Sequence, residues 1–295
     1  MADWPQLRLE IADLSITLSG RLDGPELCLT PALRPFSVAG GESDLRVAVR
    51  YGTPDLDRAI PVFDSGYVWR LLELDSTWVF SLSSPVVCDG PYTVAVVDRA
   101  FRQCEVAIAP GSRAEPVYPL EYPLDELLVI GLLARSQGVQ LHACGAVDED
   151  GRGYMFPGQS GAGKTTIALL WARRNGCKLL SDDRIVLRQR RVQVWMYGTP
   201  WHGEAGFALP DGAPLSAVMI LEHGENNAVT ALRVAVATAE LVARSFPPFY
   251  DPEGVASTLQ VLDGTVDSVP CFRLRFMPDS RVIEFVRQEV QRAGC

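Results

Sequence analysis

Gly158-Gln159-Ser160-Gly161-Ala162-Gly163-Lys164-Thr165-Thr166 satisfies the pattern G-x-x-x-x-G-K-[ST] at every required position. Glycines let a backbone approach a phosphate closely and aim several N–H groups at it. A lysine at position 164 adds a mobile cation, and the hydroxyl of Thr165 suits a magnesium ion. The implied ligand is a nucleoside triphosphate, with Gly158, Ser160, Gly161, Ala162, Gly163, Lys164, Thr165 and Thr166 as its binding residues.

The flanks support this reading. Gly153-Tyr154-Met155-Phe156-Pro157 is a short apolar strand entering the loop, and the run from Thr166 to Arg174 has the character of a helix leaving it. A helix N-terminus adds unpaired N–H groups and partial positive charge to the same anion site.

The chain has 295 residues, 47% apolar and 21% charged, which is the mix of a globular protein with a sizeable core in one large or two ordinary domains. Its net charge of −9 argues against a general nucleic-acid surface, so a nucleotide has to be held locally. No apolar run approaches the roughly 18 residues that would span a bilayer, and the opening Met1-Ala2-Asp3-Trp4-Pro5-Gln6 lacks the basic-then-apolar pattern of an export signal. A cytoplasmic protein without a membrane partner is expected. The seven cysteines (28, 88, 104, 144, 177, 271 and 295) are scattered without a C-x-x-C pair, which suggests neither a zinc site nor a disulfide framework.

Runs such as Leu7 to Leu18, Leu45 to Tyr51, Val68 to Leu74, Thr77 to Leu82 and Tyr92 to Val97, separated by Gly, Pro and Asp turns, predict a smaller β-rich domain over residues 1–118. The loop-rich stretch from Ala109 to Pro116 makes a boundary there plausible. Residues 119–295 then form an α/β domain. A buried helix is expected from Leu124 to Ser136, strands over 139–147, 153–157, 177–180, 184–187, 192–196, 217–221 and 271–276, and helices over 237–244 and from Asp279 to about Arg292.

Phosphoryl transfer needs a metal ligand and often a base for the attacking oxygen. Asp182 and Asp183 follow the apolar strand after the loop's helix, and the carboxyl ends of such strands are where ligands collect. One acid would serve magnesium while the other accepts a proton from a hydroxyl. His142 lies in Gln140-Leu141-His142-Ala143-Cys144-Gly145, a strand expected beside the loop strand, where it would contact phosphate or tune the base.

Leu141-His142-Ala143, the Gly158 to Thr165 loop and Ser181-Asp182-Asp183-Arg184 together resemble the catalytic domain of HPr kinase/phosphorylase, a family that phosphorylates a serine of a phosphocarrier protein. The likeness spans roughly residues 120 to 290 and is strong only from His142 to Arg184. The nearer match is to diverged bacterial relatives associated with peptide-modification or polysaccharide-export gene clusters, with a shorter β-rich part before the same core. By motif position the resemblance implies His142 and Lys164 as catalytic, Thr165 as the magnesium hydroxyl, Asp182 as the base, and Asp183 as organiser of the metal. It also implies a mixed sheet, like that of phosphoenolpyruvate carboxykinase, and assembly as a homo-oligomer.

Two features depart from the bifunctional members: Thr166 stands where they have an acid, and their later glycine-rich signature is missing, which speaks against the reverse, dephosphorylating reaction. The loop Tyr197-Gly198-Thr199-Pro200-Trp201-His202-Gly203-Glu204 resembles a segment of the diverged relatives. There His202 and Glu204 would reach the metal or the acceptor and Trp201 would pack a substrate, or the loop is a structural turn. Arg244 would either reach a transferring phosphate or face solvent, the second being preferred, and Glu222 is read as structural. The expectation is an ATP- and Mg²⁺-dependent kinase acting on a hydroxyl, foremost a serine of a protein or peptide. The rivals are a nucleotide-switched regulatory or scaffold module and a small-molecule kinase.

Overall fold

The computed structural model describes residues 6–21, 24–66 and 68–293; residues 1–5 of the opening segment and Cys295 lie outside them. The chain forms two compact units, Met1–Arg135 and Ser136–Cys295, and is α/β with two mixed sheets.

The first unit carries β1 (Gln6–Ile11), β2 (Leu14–Gly20), β3 (Leu45–Tyr51), β4 (Ile60–Asp64), β5 (Trp69–Leu74), β6 (Thr77–Ser83), β7 (Pro91–Asp98), β8 (Gln103–Ile108) and the helix α1 (Leu124–Ala134). Its sheet runs β1-β2-β3-β8-β7-β6-β5-β4, with β2, β3 and β8 parallel and the other neighbours antiparallel. The run from Leu7 to Leu18 is a hairpin rather than one strand, because Ala12 and Asp13 turn the chain with φ of 54° and 56°. Alternation decides the faces: Leu45, Val47 and Val49 are fully buried on β3 between exposed Arg46 and Ala48. In α1, Gly131 leaves room for the buried Phe101 ring, which would stand 2.1 Å from a Cβ there.

The second unit contains β9 (Gly138–Val147), β10 (Gly153–Pro157), α2 (Lys164–Ala172), β11 (Lys178–Ser181), β12 (Arg184–Arg190), β13 (Gln193–Gly198), β14 (Gly212–His223), β15 (Ala228–Ala231), α3 (Val234–Val242), α4 (Pro252–Ser268), β16 (Cys271–Phe276) and α5 (Arg281–Ala293). Two long strands organise it. The first half of β9 pairs with β12, and its second half pairs with β10 and β11. The start of β14 pairs with β13, while its remainder lies parallel to β10 and β16.

Period-two alternation then sends side chains to two cores. Tyr154, Phe156, Met219 and Leu221 pack with Ile167 and Trp171 of α2 and Val282, Ile283 and Val286 of α5. Met155, Val218 and Ile220 face the other way, onto Leu241 of α3 and Val261, Leu262 and Val266 of α4. A buried ion pair fastens α5: Arg287 donates through Nε to Asp148 at 2.8 Å. Burial alone would raise the Asp148 carboxyl, but the Arg287 guanidinium and the Glu149 N–H hold it below the usual carboxylate range.

The helix behind the loop is seated by Trp171, fully buried with its ring 5.1 Å from Tyr154 and 6.0 Å from Phe156. Trp171→Ala is expected to lower the free energy of unfolding by about 3–5 kcal/mol, read as a lower urea midpoint at unchanged slope.

Candidate active site

The loop between β10 and α2 is closed at both ends and open at its tip. Gly158 is buried and Lys164 is 7% exposed, whereas Gln159, Ser160 and Gly161 are exposed. Gly163, directly before α2, has φ of 99°, and a Cβ there would stand 2.8 Å from the Phe276 ring, so no other residue fits without strain. Lys164 folds back over the loop and donates from Nζ to the carbonyls of Gly158 at 3.0 Å and Gln159 at 3.1 Å. Burial lowers its pKa, and the nearby Arg184 and Arg244 push it the same way, while Asp183 opposes them. The hydroxyl-bearing Thr165 and Thr166 sit half-buried in the first turn of α2.

His142 reaches this loop because β9 changes partners around it. Its carbonyl accepts from the Gly158 N–H at 3.4 Å, and its own N–H donates to the Arg244 carbonyl at 2.8 Å. Residues 244–246 thereby lie along β9, with Phe246 N–H donating to Gln140 at 2.9 Å and Leu141 bridging Ser245. On the opposite edge of β9, the Asp183 carbonyl accepts from Ala143 N–H at 3.1 Å, just before Arg184 pairs with His142.

The two adjacent acids part company here. Asp182 is 2% exposed, and its carboxylate accepts from the N–H groups of Ala205 at 2.9 Å, Gly203 at 3.0 Å and Phe207 at 3.2 Å. Asp183 keeps 26% of its side chain exposed and meets His142 Nε2 at 2.9 Å through Oδ1 and the Arg184 guanidinium through Oδ2. Burial works to raise the Asp183 carboxyl, but His142, Arg184 and Lys164 hold it below the usual range. The oxygens of Asp182, expected to take a proton from an acceptor, are thus engaged by a loop backbone, and the acid that meets His142 is Asp183.

The loop from Tyr197 to Glu204 is built around that anchor. Ser181 Oγ accepts from the N–H groups of Asp183 and Arg184 at 3.2 and 3.1 Å, and Thr199 Oγ1 donates to Arg184 at 2.9 Å. His202 is exposed with Nδ1 2.9 Å from its neighbour's carbonyl, Gly203 O, and Glu204 is exposed. No hydrogen bond or ion pair among the described residues joins either to Lys164, His142 or Asp183. Trp201 is half-buried, its indole N–H enclosed without a hydrogen-bond partner.

For Arg244, the solvent-facing reading preferred over a phosphate contact does not fit the structure. Its side chain is 11% exposed rather than solvent-facing, Nη1 is held by the Glu240 carboxylate at 2.6 Å, and Nε is buried without a hydrogen-bond partner. Nothing local in the sequence marks it, since its place follows from the pairing of residues 244–246 with β9.

Among the described residues, no three His, Cys, Asp or Glu side chains converge so as to hold a metal by themselves. A magnesium ion needs no such cluster, because it keeps several waters and takes ligand phosphates with one or two protein oxygens; the Thr165 hydroxyl fits that part. The loop N–H groups, the α2 terminus and the Lys164 ammonium are together the kind of donors that suit an anion, and they lie beside a carboxylate held below its usual range.

No protein-family model and no curated protein matches the chain. Among solved structures, the HPr(Ser) kinase/phosphatase from Coxiella burnetii is similar over 53% of this chain and 99% of its own, with 14% identity and a TM-score of 0.32. A likeness so loose carries no argument about chemistry, which rests on the geometry above.

Asp182→Ala leaves three loop N–H groups without their acceptor and is expected to cost about 3 kcal/mol of stability. Asp183→Asn, on a partly solvated carboxylate, is expected to cost less than about 1 kcal/mol. Urea unfolding of both variants checks the contrast.

Proposed function

We propose that this protein is an ATP- and Mg²⁺-dependent kinase that transfers the γ-phosphate to a serine hydroxyl of a protein or peptide. The observation that carries the reading is the meeting of the buried loop lysine with the His142–Asp183 pair, delivered by separate strands to one corner. An ionised carboxylate beside a phosphate-binding cation is what transfer to an alcohol requires: one group takes the hydroxyl proton while the other offsets charge on the phosphoryl group.

In this reading Asp183 accepts the serine proton as the oxygen forms its bond to phosphorus and the bond to the leaving diphosphate breaks. His142 and Arg184 hold the carboxylate in position. Lys164 balances the charge on the β- and γ-phosphates, and Arg244 adds a second cation from the opposite edge of β9. Magnesium, when bound, neutralises phosphate oxygens, and the Thr165 hydroxyl is the protein group that fits it. Asp182 orders the 199–207 loop beside the acceptor's path. The catalytic work belongs to the second unit, and the N-terminal β-rich region over residues 1–118 serves substrate recognition.

Transfer of γ-³²P from ATP to proteins and peptides of the source cell tests this directly. Lys164→Ala and Asp183→Asn are expected to reduce labelling by at least about 10³-fold while both fold normally; wild-type turnover in either overturns the assignment. Because Asp183 is held below the usual carboxylate range, it stays ionised as the pH falls through neutrality, and the rate should drop only at more acid pH. Removing one of the groups that lowers it, as in His142→Gln, should move that acid limb upward, visible in the pH profile of kcat/KM.

A further inference from the structure

The phosphate loop has a direction. Its lysine reaches the β- and γ-phosphates, and Lys164 Nζ turns back to the Gly158 carbonyl, whose own N–H is bonded to His142, the partner of Asp183, so a bound triphosphate has its transferring end there and its α-phosphate end toward Thr166 of α2. On that second side a cleft of about 470 Å³ opens from Gly163 and Thr166 between His223, Glu225, Phe276 and Pro278. It shares no residue with the His142, Asp183 and Arg244 corner. We infer that this cleft is the nucleoside subsite, and that it selects a ribonucleotide through the sugar hydroxyls while discriminating little between bases. The inference rests on the proposed reading of the loop as a triphosphate site.

Place, size and chemistry each point to it. The cleft lies beyond the carboxyl ends of the parallel strands β14 and β16, where open α/β sheets receive ligands. Its volume falls within the range of small-molecule sites. Its walls are tied to the loop: His223 Nε2 lies 2.7 Å from the Gly161 carbonyl, and the Phe276 ring packs against Gly163. A ligand held by the loop is therefore held in register with the cleft.

Glu225 is the one charged side chain lining the cleft; it is exposed and makes no hydrogen bond or ion pair among the described residues. A carboxylate accepts and does not donate, which matches the two donor hydroxyls of a ribose. The His223 nitrogen is engaged with the loop, and Phe276 and Pro278 offer apolar surface to a ring face. Among the described residues, no side-chain amide lines the cleft to read the donor and acceptor pattern of a base edge.

Titration calorimetry on the full chain with Mg²⁺ tests this with three probes: ATP, inorganic tripolyphosphate and 2′,3′-dideoxy-ATP. ATP is expected to bind at least about tenfold more tightly than tripolyphosphate and about tenfold more tightly than the dideoxy analogue, with GTP within about threefold of ATP. Glu225→Ala, at an exposed position, should erase the gap between ATP and its dideoxy analogue while leaving tripolyphosphate binding as it was. Equal affinity of ATP and tripolyphosphate would overturn the subsite and leave the phosphate loop standing. A wild-type gap in Glu225→Ala would overturn the role of the carboxylate. If neither ATP nor tripolyphosphate binds, the triphosphate reading falls and this inference falls with it.

Discussion

The second unit is built around one costly arrangement, a lysine ammonium drawn into the protein beside two arginines. Burial, Arg184 and Arg244 all disfavour the charge on Lys164. The Gly158 and Gln159 carbonyls accept from it, and the Asp183 carboxylate opposes the repulsion. Such a corner is poised for an anion, because a phosphate would relieve the repulsion among the cations and meet the loop N–H groups at once. In a chain with a net charge of −9, cationic character is here concentrated in one desolvated place, where charges are screened least.

The corner exists because β9 switches partners at His142 and Ala143. Before this point β9 lies between β12 and residues 244–246, and beyond it β10 takes up pairing through Pro157 and Ala143. The end of one strand, the start of another and an irregular segment therefore converge at one level. They bring the phosphate loop, the Asp183 carboxylate and the Arg244 guanidinium, which are far apart in sequence. Trp171 and α5 hold the loop's helix from behind, so the corner is set on packed elements rather than on free loops.

Much of this was legible because it is local. The loop, its strand and its helix are contiguous, and the apolar alternation in Tyr154, Met155 and Phe156 reports a buried strand. The helix α4 was not foreseen although its buried positions, Gly254, Thr258, Val261, Leu262, Thr265 and Val266, keep helical spacing. Half of them are Gly or Thr, which hides the apolar stripe, and Gly264 lowers the intrinsic preference further. Pro252 directly after Asp251 was the usable start signal. Strands β4 and β15 were missed for a related reason: both are edge strands, β4 exposed along its length and β15 nowhere buried, so neither carries a buried face to read. For Arg244 the sequence offers two readings and cannot decide between them, since its position depends on the pairing of residues 244–246 with residues 140–142.

The acid pair shows where sequence logic stops. Two adjacent carboxylates invite two chemical roles at one site, yet in the bend between β11 and β12 they part: the Asp182 carboxylate is buried against the N–H groups of residues 203, 205 and 207, while that of Asp183 meets His142 and Arg184. A buried carboxylate is tolerable when its oxygens are hydrogen-bonded, and Gly203 makes this possible, since a Cβ there would lie 2.8 Å from the Asp182 oxygen. The His202-Gly203-Glu204 turn therefore owes its composition to Asp182: the glycine lets the backbone close on the acid, and the polar neighbours point to solvent. Of the two readings the sequence leaves open for this loop, a reactive segment or a structural turn, its hydrogen bonds to Asp182 account for the second, as a clasp on the bend that presents Asp183.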